Sequence, residues 1–250
     1  MKKNILFCMI AGLLLLTNFK VQAQEKTFNA GEILTKLDDV VNAPKDQDMK
    51  MKLILIDKDG KEKVREMSML QKGSDKRLAK FLSPADQKGI AFLSLPNDIM
   101  YLYLPAFKKT RRIASHVKNT KFAGTDFTYE DMEAKRYSEK WIPELIKKED
   151  SHHILQLIPK KGVKTDYSKL IMWVRTDNFY PAKIEHYDKG NKLYKVMVRE
   201  KIEKVSGYWV SKESEMEDLK AKHKTKMILE NVKFDSGLSD EVFTDRYLSR

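Results

Sequence analysis

From Met49 onward the chain alternates. Met49, Met51, Leu53 and Leu55 fall on one side of an extended segment and Lys50 and Lys52 on the other, before Ile54 and Ile56 make the second side apolar too. This is the period of a half-buried strand. Asp57-Lys58-Asp59-Gly60 makes a hairpin turn, and further strands are predicted over 64–70, 77–82 and 90–95. Residues 99–104 are an unbroken apolar run between Pro96-Asn97-Asp98 and Pro105, which implies burial on both faces. Residues 137–148 give no clear pattern, because Trp141 and Pro143 interrupt them. Alternation resumes over 153–158, 170–175, 182–187, 193–202, 208–216 and 224–234, with turns at Lys161-Gly162, Asp177-Asn178, Lys189-Gly190-Asn191 and Ser206-Gly207. The pattern predicts a mainly β (α+β) fold of about ten or eleven antiparallel strands, and a sheet that size curls into a barrel or half-barrel. No repeat or linker divides residues 24–250, so one domain is expected.

Helical spacing is confined to the ends and one turn. Asn29 and Glu32 stand at capping-box spacing before Ile33, Leu34, Leu37, Val40 and Val41, and Pro44 stops the run. Asp38, Asp39 and Glu32 give that helix an acidic outer face, so it is read as a helix lying on the sheet. Thr128 is placed to cap a turn holding Glu130 and Asp131, and Ser239 to cap a last short helix that buries Val242, Phe243 and Tyr247. So few helices cannot fill a curled sheet, and an apolar hollow is expected. The alternation nominates Met51, Leu53, Leu55, Met67, Met69, Phe81, Leu93, Leu95, Met100, Leu102, Leu104 and Trp173 as its lining. Period two allows either Met100, Leu102 and Leu104 or Ile99, Tyr101 and Tyr103 to face the hollow. The first set is favoured because a tyrosine hydroxyl in a dry cavity needs a partner. Lys118 is read as surface.

Lys2 and Lys3 precede an apolar segment from Ile5 to Leu16, and Val21-Gln22-Ala23 suits signal-peptidase cleavage after Ala23. The segment is shorter than the roughly 20 residues a spanning helix needs, so export to the periplasm is expected. The only cysteine, Cys8, lies inside it, which leaves no disulfide framework in the mature chain. Removing Lys2, Lys3 and Lys20 lowers the formal charge from +12 to about +9. The basic residues are spread along strands rather than gathered in a recognition helix. A membrane surface or an acidic partner protein therefore fits better than nucleic acid. The five histidines, His116, His152, His153, His186 and His223, lie at no metal-binding helical spacing, and there is no GxSxG, Walker or dinucleotide motif. No cofactor, metal or catalytic residue is expected, and a hydrolase is the least favoured class. Asp126 and Asp131 suit capping and an ion pair with Arg111 or Arg112.

The central block, Tyr101 to Pro105, Arg111-Arg112-Ile113, and then Phe122, Gly124, Thr125, Asp126, Phe127, Tyr129, Glu130 and Asp131, resembles the LolA-like outer membrane lipoprotein-sorting proteins. Ser83-Pro84 and the segment Lys88 to Leu93 resemble the family's stretch just upstream. The resemblance implies a strongly curved antiparallel half-barrel closed by helices. It also implies a monomeric, non-enzymatic periplasmic carrier of lipoprotein acyl chains or other lipids, working between an inner-membrane transporter and an outer-membrane acceptor. The alternative is an envelope module that docks on a transporter or a polyanionic surface through its basic strands and carries no lipid.

Overall fold

The computed structural model describes residues 28–250; the segment Met1–Ala23, expected from the sequence to be a signal peptide, lies outside the described residues. The first helix, α1 (Ala30–Val41), begins with the expected reciprocal cap: Asn29 accepts from the Glu32 amide and Glu32 accepts from the Asn29 amide, both at 2.9 Å. Its apolar stripe buries Ile33, Leu34 and Leu37. Asp38 is not on the outer face, as the pattern suggested, but buried, where it accepts from the amides of Tyr137 at 2.7 Å and Ser138 at 2.8 Å. It thereby caps a one-turn helix, α2 (Tyr137–Lys140).

Two antiparallel meanders follow. The first runs through β1 (Asp46–Ile56), β2 (Glu62–Lys72), β3 (Lys76–Ser83), β4 (Ala91–Leu95), β5 (Ile99–Leu104) and β6 (Lys109–Arg112). The second runs through β7 (Trp141–Lys148), β8 (His152–Pro159), β9 (Lys169–Arg175), β10 (Pro181–Tyr187), β11 (Leu193–Val205), β12 (Tyr208–Asp218) and β13 (His223–Phe234). They join where β1 pairs β13, giving one sheet in the order β6-β5-β4-β3-β2-β1-β13-β12-β11-β10-β9-β8-β7. The sheet thus has thirteen strands, two more than the alternation reveals. The additional strands, β6 and β7, are its two edges. Pro143 is tolerated in β7 because an edge strand need not donate outward.

The sheet is open, since β6 and β7 do not pair, yet it is strongly curled. Lys140, immediately before β7, reaches Asp98 in the β4–β5 turn at 2.6 Å. In a flat sheet those strands would stand about 50 Å apart at the usual spacing of about 4.8 Å per strand. The mainly β, curved antiparallel half-barrel is therefore the observed architecture.

Three apolar clusters organise the packing. On the inner face, Met51, Leu53, Leu55, Met67, Phe81, Phe92 and Met100 are covered by the segment between β6 and α2, which contributes Ile113, Phe122, Phe127, Tyr129 and Met132. Further round the same face, α1 packs on Leu155, Leu157, Leu170, Met172, Val174 and Ile184. On the outer face, Leu78, Ala91 and Leu93 lie under Phe243 and Leu248 of the C-terminal 3-10 turns, with Leu95, Tyr101 and Tyr103 beside them. Asp46 anchors that C-terminal segment, accepting from the amides of Ser236, Gly237 and Leu238 and from the Ser236 hydroxyl at 2.8–3.1 Å.

Candidate functional site

The covering segment acts as a strap, and the central sequence block supplies its fastenings. Phe122 packs against Phe81, Phe92 and Tyr129 with ring centroids 5.3–5.9 Å apart. Gly124 carries a φ of +76°, which a β-branched residue would adopt only under strain. Asp126 is fully buried against β13, taking hydrogen bonds from the Thr225 hydroxyl at 2.8 Å and Lys121 at 2.8 Å, with His223 Nδ1 at 2.5 Å. Thr128 and Asp131 cap each other's amides at 2.8 and 3.2 Å. Asp131 also meets Lys195 of β11 at 3.1 Å and accepts from the Tyr167 hydroxyl at 2.9 Å. Burial pushes its carboxyl pKa up, but Lys195, His186 and the Thr128 bonds outweigh that and hold it below the ordinary range. The expected pairing of these aspartates with Arg111 or Arg112 is not what forms. Both arginines sit exposed on β6, at the sheet edge, while the aspartates face inward.

Between the strap, α1 and the sheet lies a cavity of about 220 Å³. Its walls come from β1, β2 and β3 and from β7 and β9 to β13, so side chains as far apart in strand order as Arg77 and Trp141 share one space. Seven methionines border it: Met49, Met51, Met69, Met132, Met197, Met216 and Met227. A thioether on an unbranched stem changes shape readily, so such a wall adapts to its contents.

The rest of the lining mixes apolar residues such as Phe127, Leu170 and Leu229 with polar and charged ones. Arg77 donates to Gln71 and to the carbonyls of Met132 and Glu133 at 2.6–3.4 Å. Burial lowers its guanidinium to about 10, and the neighbouring charge of Arg199 adds to the effect. Arg199 donates to the Pro181 carbonyl at 3.2 Å. Among the described residues neither arginine has a carboxylate in ion-pair contact. Lys135 donates to the Glu130 carbonyl at 3.2 Å, and Glu133 stands 3.8 Å away. Two buried groups at the cavity have no hydrogen-bond partner among the described residues, the indole Nε1 of Trp141 and Nδ1 of His186. Burial depresses His186 to about 4, so its ring is uncharged at neutral pH.

Of the residues expected to line the hollow, Met51 and Met69 do so. Leu53, Leu55, Met67, Phe81, Met100 and Leu102 face the same way but are packed into the core under the strap. Leu104 shares their phase on β5 and lies next to the edge strand. Leu93 and Leu95 point to the outer face, where the C-terminal turns cover them. Trp173 alternates with the inward Met172 and Val174 and meets Lys183 on the outer side, with Nζ 4.3 Å from the ring. On β5, then, the methionine–leucine set faces inward and Tyr101 and Tyr103 outward. Pro105 begins the 3-10 turn that ends β5. Lys118 is buried, not on the surface, and pairs with Asp98 at 3.3 Å.

A family model with the description "Uncharacterized protein" matches residues 73–250. No curated protein matches the chain by sequence. Among solved structures, a DUF1329 family protein from Desulfovibrio piger is 27% identical, with 87% of this chain and 97% of that one covered and a TM-score of 0.82. An outer membrane lipoprotein-sorting protein domain from Vibrio parahaemolyticus is 26% identical over 88% and 98% of the two chains, with a TM-score of 0.80. A LolA superfamily protein from Nitrosomonas europaea shares the fold at 21% identity and a TM-score of 0.75, over 88% of this chain and all of the other. Matched over residues 73–250, the chain belongs to the family of that model, and its structural neighbours include a DUF1329 family protein, an outer membrane lipoprotein-sorting protein domain and a LolA superfamily protein, whose LolA-like fold it shares.

Proposed function

We propose that the protein is a periplasmic carrier that shelters acyl chains of a lipoprotein or another lipid in the strapped cavity and takes part in outer-membrane lipoprotein or lipid sorting without catalysis. On this reading residues 1–23 are a cleaved signal peptide and residues 24–250 form one carrier domain. The observation that carries the proposal is the methionine-walled cavity between sheet, strap and α1. Each methylene hidden from water is worth about 0.8 kcal/mol, so an acyl chain crosses an aqueous compartment readily only inside such a shelter. Loading and release would then involve an inner-membrane transporter and an outer-membrane acceptor that offers the chain a better site.

The exposed basic edge strand β6, Lys109–Arg112, favours a second reading, an envelope module that docks on an acidic surface and carries no lipid. Mass spectrometry of an organic extract of the purified protein separates the two. Stoichiometric acyl lipid is expected, and a lipid-free protein that also fails to bind a fluorescent fatty-acyl probe would leave only the docking reading.

A further inference from the structure

The carrier reading leaves part of the cavity unexplained. Acyl chains need only apolar walls, yet this wall includes two arginines with no carboxylate in contact among the described residues, and an enclosed indole N–H with no acceptor. Trp141 is 2% exposed and its nitrogen only donates. A buried donor left unpaired is costly, and a guanidinium without a counter-ion more so. The one carboxylate in the lining, Asp131, is already matched by Lys195 at 3.1 Å. What would complete these groups is an anionic oxygen.

Resting on the carrier reading, we propose that the cavity takes a single-chain anionic amphiphile, its carboxylate or phosphate head held by Arg77 and Arg199 with Trp141 Nε1 donating, and its chain along the methionines. Guanidinium donors suit oxyacid heads because they present paired N–H groups in the right plane. His186, neutral and unpartnered at Nδ1, supplies a further donor or acceptor beside them. A cavity of about 220 Å³ is small against the roughly 300–1,000 Å³ usual for ligand pockets, which favours one chain over several.

The test uses the full mature chain, stripped of lipid, and displacement of a fluorescent fatty-acyl probe by palmitate, hexadecyl phosphate and hexadecanol. At least one of the two anions should displace the probe at a tenfold lower concentration than the alcohol, and the stronger identifies the head. Arg199→Met is the informative variant, because Arg77 also holds main-chain carbonyls of the strap and its loss endangers the fold. In Arg199→Met the anion-to-alcohol preference should shrink several-fold, and Trp141→Phe, which keeps an aromatic ring of smaller size and removes the donor, should shrink it less. Equal displacement by all three amphiphiles would overturn the anionic-head proposal while leaving the carrier reading intact. An unchanged preference in folded Arg199→Met would overturn the assigned head site. Displacement by none of them would remove the carrier reading itself, and this proposal with it.

Discussion

The inner face of the sheet contains two regions built to opposite ends. Under the strap, Phe81, Phe92, Phe122 and Tyr129 interlock, with ring centroids 5.3–5.9 Å apart and almost no exposure. Beside it, across Met51 and Met69, the same face opens into a space bordered by methionines and by two arginines that have no carboxylate in contact among the described residues. Aromatic rings have few rotamers and lock a shape; methionines do not. The first region is therefore read as the part that must not change, holding the strap, and the second as the part that must accommodate something.

The largest effect should come from the locked region. Phe122→Ala is expected to cost about 3–5 kcal/mol in urea unfolding, whereas Met227→Ala, whose side chain already borders empty space, should cost about 2 kcal/mol or less. Equal losses would break the contrast. Asp131→Asn should cost about 3 kcal/mol, because it leaves the fully buried Lys195 ammonium without its counter-charge. The same carboxyl gives the wild type a pH signature. Its folded pKa lies below the ordinary value, so its contribution is complete above about pH 4 and is lost as pH falls further through the folded value. Asp98, half-exposed in the β4–β5 turn, acts in the same direction: partial desolvation pushes its carboxyl up, but the ammonium groups of Lys140 at 2.6 Å and Lys118 at 3.3 Å hold it low. The melting temperature should thus drop steeply below about pH 4, and Asp131→Asn should show a shallower drop. Gly124→Val should cost about 1 kcal/mol or more, from backbone strain alone, since a Cβ there meets nothing within 4 Å. Smallest of all, Arg112→Ala on the exposed edge strand should stay within about 0.5 kcal/mol in stability, and a larger change would mean that β6 has a structural partner.

Eleven strands were legible because each pairs alternation with clear turns. β6 was not, since its four residues are all exposed and carry no apolar phase. In β7 only Trp141 is buried, and the strand contains a proline. Within the site, alternation tells which residues share a face and leaves open which face looks inward. That is why Leu93, Leu95 and Trp173 were grouped with the lining while they belong to the outer side. On β4 the ambiguity is greatest, because the C-terminal turns make both faces apolar. The inward cations are hidden from the pattern because alternation by itself places charged residues outward. A signal existed, however: Arg77 is in phase with the inward Ala79 and Phe81, and Lys195 and Arg199 with Met197. A charge that falls in step with a buried stripe either has a partner, as Lys195 does, or awaits one.

The seam between β1 and β13 sets a timetable for folding. Each meander can form from neighbouring hairpins as the chain becomes available, but Met51 finds Leu229 only once nearly the whole sequence is present. Until then β1 presents an unpaired edge with an apolar row along it, the kind of template on which chains aggregate. Contacts so distant in sequence slow folding. A chain truncated before His223 should keep its first meander and stick to its own kind, and the intact protein should need protection for as long as its last strand is missing.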